Sequence, residues 1–230
     1  MIGLLYDVHG NLSALRAVLD DAAAQGACRF VLGGDYALFG PHPAESVAAL
    51  RELEAEWIRG NGERWTAHPA EAPDDDVVQG AIAACRDALG EEAVAELAAL
   101  DEELVCDGVR YCHGSPVSDV RSFLPQPGPD EDELLAGVGE RRLVFGHTHL
   151  PFRRRAASGV ELVNPGSVGM PFDGDPRAAY ALVHDDGSLE HRRAAYDHAA
   201  SAAAVRERFD GDWTATVAAR IEQARFDAAP

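Results

Sequence analysis

The first third of the chain alternates short apolar runs with longer stretches of helical period. Residues 2–6 form an apolar run of strand length, Asn11 stands where a helix N-cap is wanted, and residues 12–24 form an alanine-rich helical stretch. Residues 28–32 read as the next strand and close on Gly33-Gly34. Residues 43–54 suit a helix with Pro43 in its first turn, and residues 57–59 a third short strand closing on Gly60. The character changes over about 64–103, where a turn-rich stretch, 69–76, precedes two predicted helices at 77–89 and 91–100. This insert carries no chemistry-bearing motif; it is read as a helical layer packed over one edge, with a lid over a neighbouring site as the alternative.

Strand character returns at 104–106 and 109–112, on either side of the hairpin signal Asp107-Gly108. Residues 143–145 give another strand, closing on Gly146. Runs at 152–155, 160–163, 179–183 and 189–194 predict an antiparallel second half, with Asp185-Asp186-Gly187 turning between the last two. Helices at 199–209 and 213–226 follow, so that C-terminal helices occupy about 197–226. There is no repeat and no low-complexity linker, so a single domain over 1–230 is expected. Two β-rich halves with helices outside predict a layered α/β sandwich.

Composition narrows the partners. With 47% apolar residues in 230, the chain is long enough for a substantial core, and no apolar run reaches membrane-spanning length. The start, Met1 to Asp7, lacks the basic segment and small-residue cleavage site of a signal peptide, so a cytoplasmic location is expected. Cys28, Cys85, Cys106 and Cys112 are scattered without CxxC spacing and read as reduced thiols. Cys112 adjoins His113, but strand alternation points the two side chains to opposite faces. The formal charge is −19 and every basic residue is arginine. Such a surface repels polyanions and argues against extended nucleic-acid binding, while leaving room for a small phosphorylated substrate at a locally cationic site. The acidic surface and apolar edges are compatible with a homodimer.

Five short motifs carry chemistry: Asp7-Val8-His9, Gly33-Gly34-Asp35, Gly60-Asn61-Gly62-Glu63, His113-Gly114 and Gly146-His147-Thr148-His149. Each follows an apolar strand, where open α/β sheets place their binding crevice, and each contains or adjoins a glycine, which lets backbone approach an ion. Any one alone reads as a strand end or a surface histidine. Together they supply two carboxylates, one amide and four imidazoles. Oxygen and imidazole donors without thiolate suit manganese, iron, nickel or zinc. Two cations a few ångströms apart with hydroxide between them attack phosphorus. Glu63 is not needed as a ligand and is read as orienting an imidazole or pairing with Arg64. Arg153, Arg154 and Arg155 follow the His147/His149 loop; alternation would turn one or two toward the site to grip phosphate, the alternative being a solvated arginine-rich strand.

The order of these motifs resembles that of the calcineurin-like metallophosphoesterases. The phrases Tyr111-Cys112-His113-Gly114-Ser115-Pro116 and Asn164-Pro165-Gly166-Ser167-Val168-Gly169 are similar to those of its small bacterial and archaeal phosphodiesterase branch. The resemblance covers roughly residues 2–170. It implies a four-layer αββα sandwich holding two divalent transition-metal ions, manganese foremost. It further implies that Asp7, His9 and His149 hold the first ion, Asn61, His113 and His147 the second, and that Asp35 bridges them. Asp35, Asn61 and His113 are thereby the candidate catalytic residues, and Asn61, Arg64 and Arg153 the candidate phosphate-binding ones. The family's commonest third motif is Gly-Asn-His-Asp/Glu; here Gly62 replaces the histidine, which is thought to stabilise the transition state or protonate the leaving group. His42 and His68 are the sequence candidates for that proton, though each also reads as a surface histidine. The expected activity is hydrolysis of a small phosphodiester. Alternatives are a phosphomonoesterase or protein phosphatase, a dinucleoside polyphosphate hydrolase, and a non-catalytic scaffold of the same fold.

Overall fold

The computed structural model describes residues 1–229 and contains two five-stranded mixed sheets. In chain order the elements are β1 (Ile2–Leu5), α1 (Leu12–Ala24), β2 (Arg29–Leu32), α2 (Pro43–Arg51), β3 (Ala55–Trp57), α3 (Asn61–Ala67) and α4 (Asp76–Ala98). They continue as β4 (Glu103–Cys106), β5 (Val109–Cys112), α5 (Glu131–Leu134), β6 (Arg142–Val144), β7 (Phe152–Arg155) and β8 (Glu161–Asn164). The chain closes with β9 (Ala178–Val183), β10 (Leu189–Ala194), α6 (His198–Arg208) and α7 (Trp213–Gln223). The first sheet runs β10-β9-β1-β2-β3 and the second β4-β5-β6-β8-β7. In each, three strands are parallel: β1, β2 and β3 in one, β5, β6 and β8 in the other.

Alternation along the central strands builds the layers. On β1, Leu4 packs between the sheets with Val31, Val109 and Val144, whereas Leu5 turns outward to the helices. On β6, Val144 enters the same seam while Leu143 packs outward with Leu134 and Leu162. The helical side is thick, with α1, α2, α4, α6 and α7 contributing apolar residues to one core. The opposite side is thin: α5 has four residues, and coil bearing Phe123 completes the cover. The αββα order therefore holds with its fourth layer reduced to a single helical turn and coil.

Local signals are realised closely. The Asn11 side chain accepts from Ala14 N–H at 3.3 Å, capping α1 as the sequence predicts, and Pro43 occupies the first turn of α2. Asp107 and Gly108 both have positive φ, 52° and 71°, as a two-residue hairpin turn requires. The two helices predicted in the insert form α4, which is interrupted at Gly90, a residue of left-handed φ (76°). Pairing departs from expectation. β9 and β10 do not extend an antiparallel second half: they return to the first sheet, where β9 lies antiparallel to β1. β8 runs parallel to β6. Both β8 and β9 are buried along almost their whole length, which only an interior position in a sheet provides. The third strand lies two residues earlier than predicted, although Ile58 N–H still donates to the Leu32 carbonyl and prolongs the ladder.

Parallel orientation brings the carboxyl ends of β1, β2, β3, β5, β6 and β8 to one side of the molecule. The coil after β8 locks against β1 through Val168 N–H to the Tyr6 carbonyl and Gly169 N–H to the Asp7 carbonyl, each 3.0 Å. Gly169 is required there, since a Cβ would stand 1.9 Å from the Val8 carbonyl oxygen. Gly169→Ala is expected to cost about 3 kcal/mol, the upper range of overpacking. The check is chemical denaturation; a wild-type midpoint would show that this coil is free to shift.

Candidate metal centre

All seven motif residues expected as ligands converge where the parallel strands end. Asp7 and His9 follow β1, Asp35 follows β2, and Asn61 begins α3 after β3. His113 follows β5, and His147 and His149 follow β6. Six of the seven are buried, with Asp7 fully so, and His147 is partly exposed. Five sit in left-handed backbone: Asp7 (φ 54°), His9 (49°), Asp35 (57°), His147 (66°) and His149 (57°). Residues other than glycine pay roughly 1–3 kcal/mol each for such geometry, and it clusters where function demands it. Interlocking loop bonds maintain it: His9 N–H to the Asp35 carbonyl at 2.8 Å, and Asp7 N–H to the Gly34 carbonyl at 3.1 Å.

The imidazoles are oriented from behind. Nδ1 of His9 donates to the Leu38 carbonyl (3.0 Å), that of His113 to the Gly33 carbonyl (2.8 Å), and that of His149 to the Met170 carbonyl (2.6 Å). Each of these bonds claims the ring proton and leaves Nε2 as a lone pair aimed inward. The Nε2 atoms of His9 and His149 face one another at 3.0 Å, and Nε2 of His113 faces Asn61 Oδ1 at 3.0 Å. Nδ1 of His147 lies 2.8 Å from the same oxygen. Acceptors approaching acceptors this closely fit a cation between them, and Asp7-His9-His149 and Asp7-Asp35-His113 are two such candidate groups. Asp35 spans them with separate oxygens, Oδ2 at 3.8 Å from His9 Nε2 and Oδ1 at 3.4 Å from His113 Nε2. Asp7 also reaches both sides, 3.5 Å from His149 Nε2 and 3.8 Å from His113 Nε2, but through Oδ1 alone.

Burial dominates the protonation of this cluster. It raises the Asp7 carboxyl to about 8, with the Asp35 charge adding to the shift, and it lifts Asp35 well above the carboxylate range with help from Glu63. The same burial lowers His9 and His147 to about 3 and His149 well below its ordinary value. At neutral pH the His9, His147 and His149 rings are therefore free bases, as ligands must be, and the Asp7 carboxyl holds a proton that a cation would displace.

Glu63 does not orient an imidazole. Its buried carboxylate accepts from the backbone N–H groups of Asp35 (2.8 Å), Tyr36 (2.8 Å) and Gly60 (2.7 Å), clamping the Asp35 loop to the Asn61 loop. The signal was present in the sequence, because a glutamate three residues after a helix start reaches back to its cap. Gly62 N–H donates to Asp35 Oδ1 at 2.6 Å, and a Cβ at Gly62 would stand 2.8 Å from that oxygen. Arg64 lies behind the ligands, held bidentately by Asp119 (2.7 and 2.8 Å) and also by Glu71 (2.9 Å). Arg153 is not brought to the ligands; its guanidinium pairs with Glu161 on the neighbouring β8. Cys112 packs in the outer core, turned away from His113 as alternation predicts.

A cavity of about 750 Å³ opens onto His9, Asp35, Asn61, His147 and His149. Neither His42 nor His68 lines it. Its outer wall is apolar and draws Trp65, Pro73 and Val78 from the insert and Phe226 from the coil after α7. The insert thus contributes to one wall of the cavity beside these residues.

A domain model of the calcineurin-like phosphoesterase superfamily matches residues 1–188, and the chain belongs to that family. It is 29% identical over 220 residues to an uncharacterised protein of Methanocaldococcus jannaschii, covering 86% of this chain and 88% of that one. It is also similar to a metallophosphoesterase structure from Sphaerobacter thermophilus, with TM-score 0.83 and 26% identity over 97% of this chain and 98% of the other. A hypothetical protein of Pyrococcus horikoshii shares the fold at TM-score 0.83 and 20% identity, with full coverage of both chains. Membership places the chain in a superfamily of phosphoesterases that generally bind divalent metals, and the two candidate ligand groups agree with that. Among the described residues no helix is long and apolar enough to cross a membrane.

Two outcomes follow from the geometry. Calorimetric titration with divalent metal at pH 7 in buffers of different ionisation heat should register proton release, from Asp7 foremost, with affinity rising toward pH 8. Proton-free, pH-independent binding would contradict a buried neutral Asp7 carboxyl. Glu63→Gln replaces one acceptor oxygen with an amide that cannot receive an N–H, and should weaken metal binding about tenfold to a hundredfold without altering any ligand. Unchanged affinity would show that the Asp35 loop needs no clamp.

Proposed function

We propose that the protein is a two-metal phosphoesterase that hydrolyses a small phosphodiester by in-line attack at phosphorus. Asp7, His9 and His149 would hold one ion, Asn61, His113 and His147 the other, with Asp35 between them; manganese suits the set, as do iron, nickel and zinc. The observation that carries the reading is the facing pair of imidazole lone pairs at 3.0 Å beside a carboxylate whose two oxygens reach opposite halves of the cluster. Two divalent ions so held supply a nucleophile from water at neutral pH and neutralise charge on the phosphoryl oxygens.

The chain's own groups set the rest. Asn61 Oδ1, shared by His113 and His147, fixes the edge of the cluster that faces the cavity. Gly62 is packed against Asp35 and offers no proton, and the histidines that line the cavity are all ligands. Protonation of the leaving group is commonly worth about a hundredfold to ten-thousandfold. A site whose lining histidines are committed to metal favours esters whose leaving group departs as an anion, and this supports a diester with an acidic alcohol over a simple alkyl monoester. The test is manganese-supported hydrolysis of bis-p-nitrophenyl phosphate beside p-nitrophenyl phosphate. We expect diester turnover to exceed monoester turnover and to fall at least about a hundredfold in Asp35→Asn, with the circular dichroism spectrum retained. Failure to cleave either ester with any of the four metals, or undiminished turnover by Asp35→Asn, would overturn the reading.

A further inference from the structure

The cavity wall beyond the ligands has a chemistry of its own. Phe172 stacks on the His149 ring, centroids 4.3 Å apart and planes 14° from parallel. Phe226 meets Phe172 edge-on at 5.6 Å, and the Arg220 guanidinium covers Phe226 at 4.5 Å. Trp65 and Val78 line the same cavity from the insert, and Leu124 from the coil before α5. Among the described residues the exposed large apolar side chains are Val105, Val117, Val120, Leu124 and Phe226; the last three all border this cavity. Exposed apolar surface gathered beside a ligand cluster marks a binding wall. Apart from the ligand Asp35, its charged residues are Asp75 and Arg220, one of each sign. The two charges offset one another, so the wall has no surplus of cation to draw a second anionic group.

We propose that this trough selects phosphate esters whose substituent is an uncharged, planar aromatic group, seated against Phe172 and Phe226 while the phosphate lies at the metal ligands. The identity of the occupant as a substrate rests on the hydrolase reading above; the selectivity does not. One end of any phosphate ester is fixed by the ligand cluster, so its substituent must lie along the wall that continues from His149 through Phe172 to Phe226. The cavity volume, about 750 Å³, accommodates a ring-bearing group of small-ligand size. A ring placed there gains edge or face contacts with other rings beyond what burial of its area supplies, which an aliphatic group of equal size lacks. Simple aryl esters and nucleoside esters share this chemistry.

The test is binding, read by calorimetry on the manganese-loaded full chain with non-hydrolysable phosphonates. Phenylphosphonate is expected to bind at least about tenfold more tightly than methylphosphonate. Phe226→Ala should reduce that ratio about threefold or more, and Phe226→Tyr should preserve it. Phe226 is largely exposed and lies outside α7, so both variants are expected to fold. Equal affinity for the phenyl and methyl ligands, or an unchanged ratio in Phe226→Ala, would overturn the proposal. Cyclohexylphosphonate binding as tightly as the phenyl compound would overturn the aromatic assignment in favour of an aliphatic substituent. A nucleoside 5′-phosphonate binding more tightly than phenylphosphonate would support the proposal with a nucleoside ester as occupant, and weaker binding would support it with a simple aryl ester. Selective binding without hydrolysis of any ester would sustain the trough and overturn the hydrolase reading, so the two failures are distinct.

Discussion

The structure depends on a concentration of buried acidic groups and lone pairs that its own side chains do not balance. Asp7 and Asp35 are buried together with three inward-facing Nε2 atoms and one amide oxygen. The guanidinium that tempers Asp35 is Arg64, and it is already engaged by Asp119 and Glu71. Burying carboxylates without compensation is expensive, and protonation relieves it only partly. A fold that nevertheless fixes three of the four rings from behind with a backbone carbonyl, and keeps five of the seven motif residues in left-handed backbone, has rigidity directed at one purpose. Divalent cations at the proposed site would supply the missing charge, and the fixed lone pairs would need little rearrangement to receive them.

That centre also lies across the join of the two sheets. Asp7, His9, Asp35 and Asn61 come from the first sheet's strand ends, and His113, His147 and His149 from the second's. A cation held by both halves therefore bears on sheet packing as well as on chemistry. Two polar devices prepare the join. Glu63 ties the loops after β2 and β3 to one another, and the Ser167 hydroxyl donates to the Asp7 carbonyl at 2.8 Å, pinning the coil after β8 to the end of β1. Removing either would loosen ligands it never touches.

How far this was legible from the sequence depends on the distance over which each signal acts. The motif residues were legible because each ends an apolar strand within a few residues of a glycine, and strand, turn and donor lie within one short window. The partners of the late strands were not. Residues 178–194 read equally well as a second-half hairpin or as an addition to the first sheet, and only the burial of β9 on both faces, a tertiary fact, decides between them. The role of Glu63 could have been inferred from its place at the third position of α3, but its bonds to Asp35 and Tyr36 cross 28 and 27 residues. Arg153 shows the reverse case. Its nearness in sequence to His149 pointed to phosphate, whereas the register of β7 against β8 sets it opposite Val163 and leaves Glu161 diagonally across on the same face, where the guanidinium pairs with it.

The same distinction bears on how such a site could discriminate between esters. Ligand motifs common to a family stabilise the phosphoryl group, which every ester presents alike, and so do not by themselves separate one substrate from another. Selectivity must come from groups that touch the part of the substrate that differs. In this chain those are Trp65, Val78, Phe172 and Phe226, supplied by the insert, the coil before β9 and the coil after α7, all outside the ligand motifs. Contacts there can position the ester for attack without taking part in proton transfer. With Gly62 closed against Asp35, positioning and charge neutralisation are what this architecture has to offer, and the substituent wall is where it can distinguish one phosphate ester from the next.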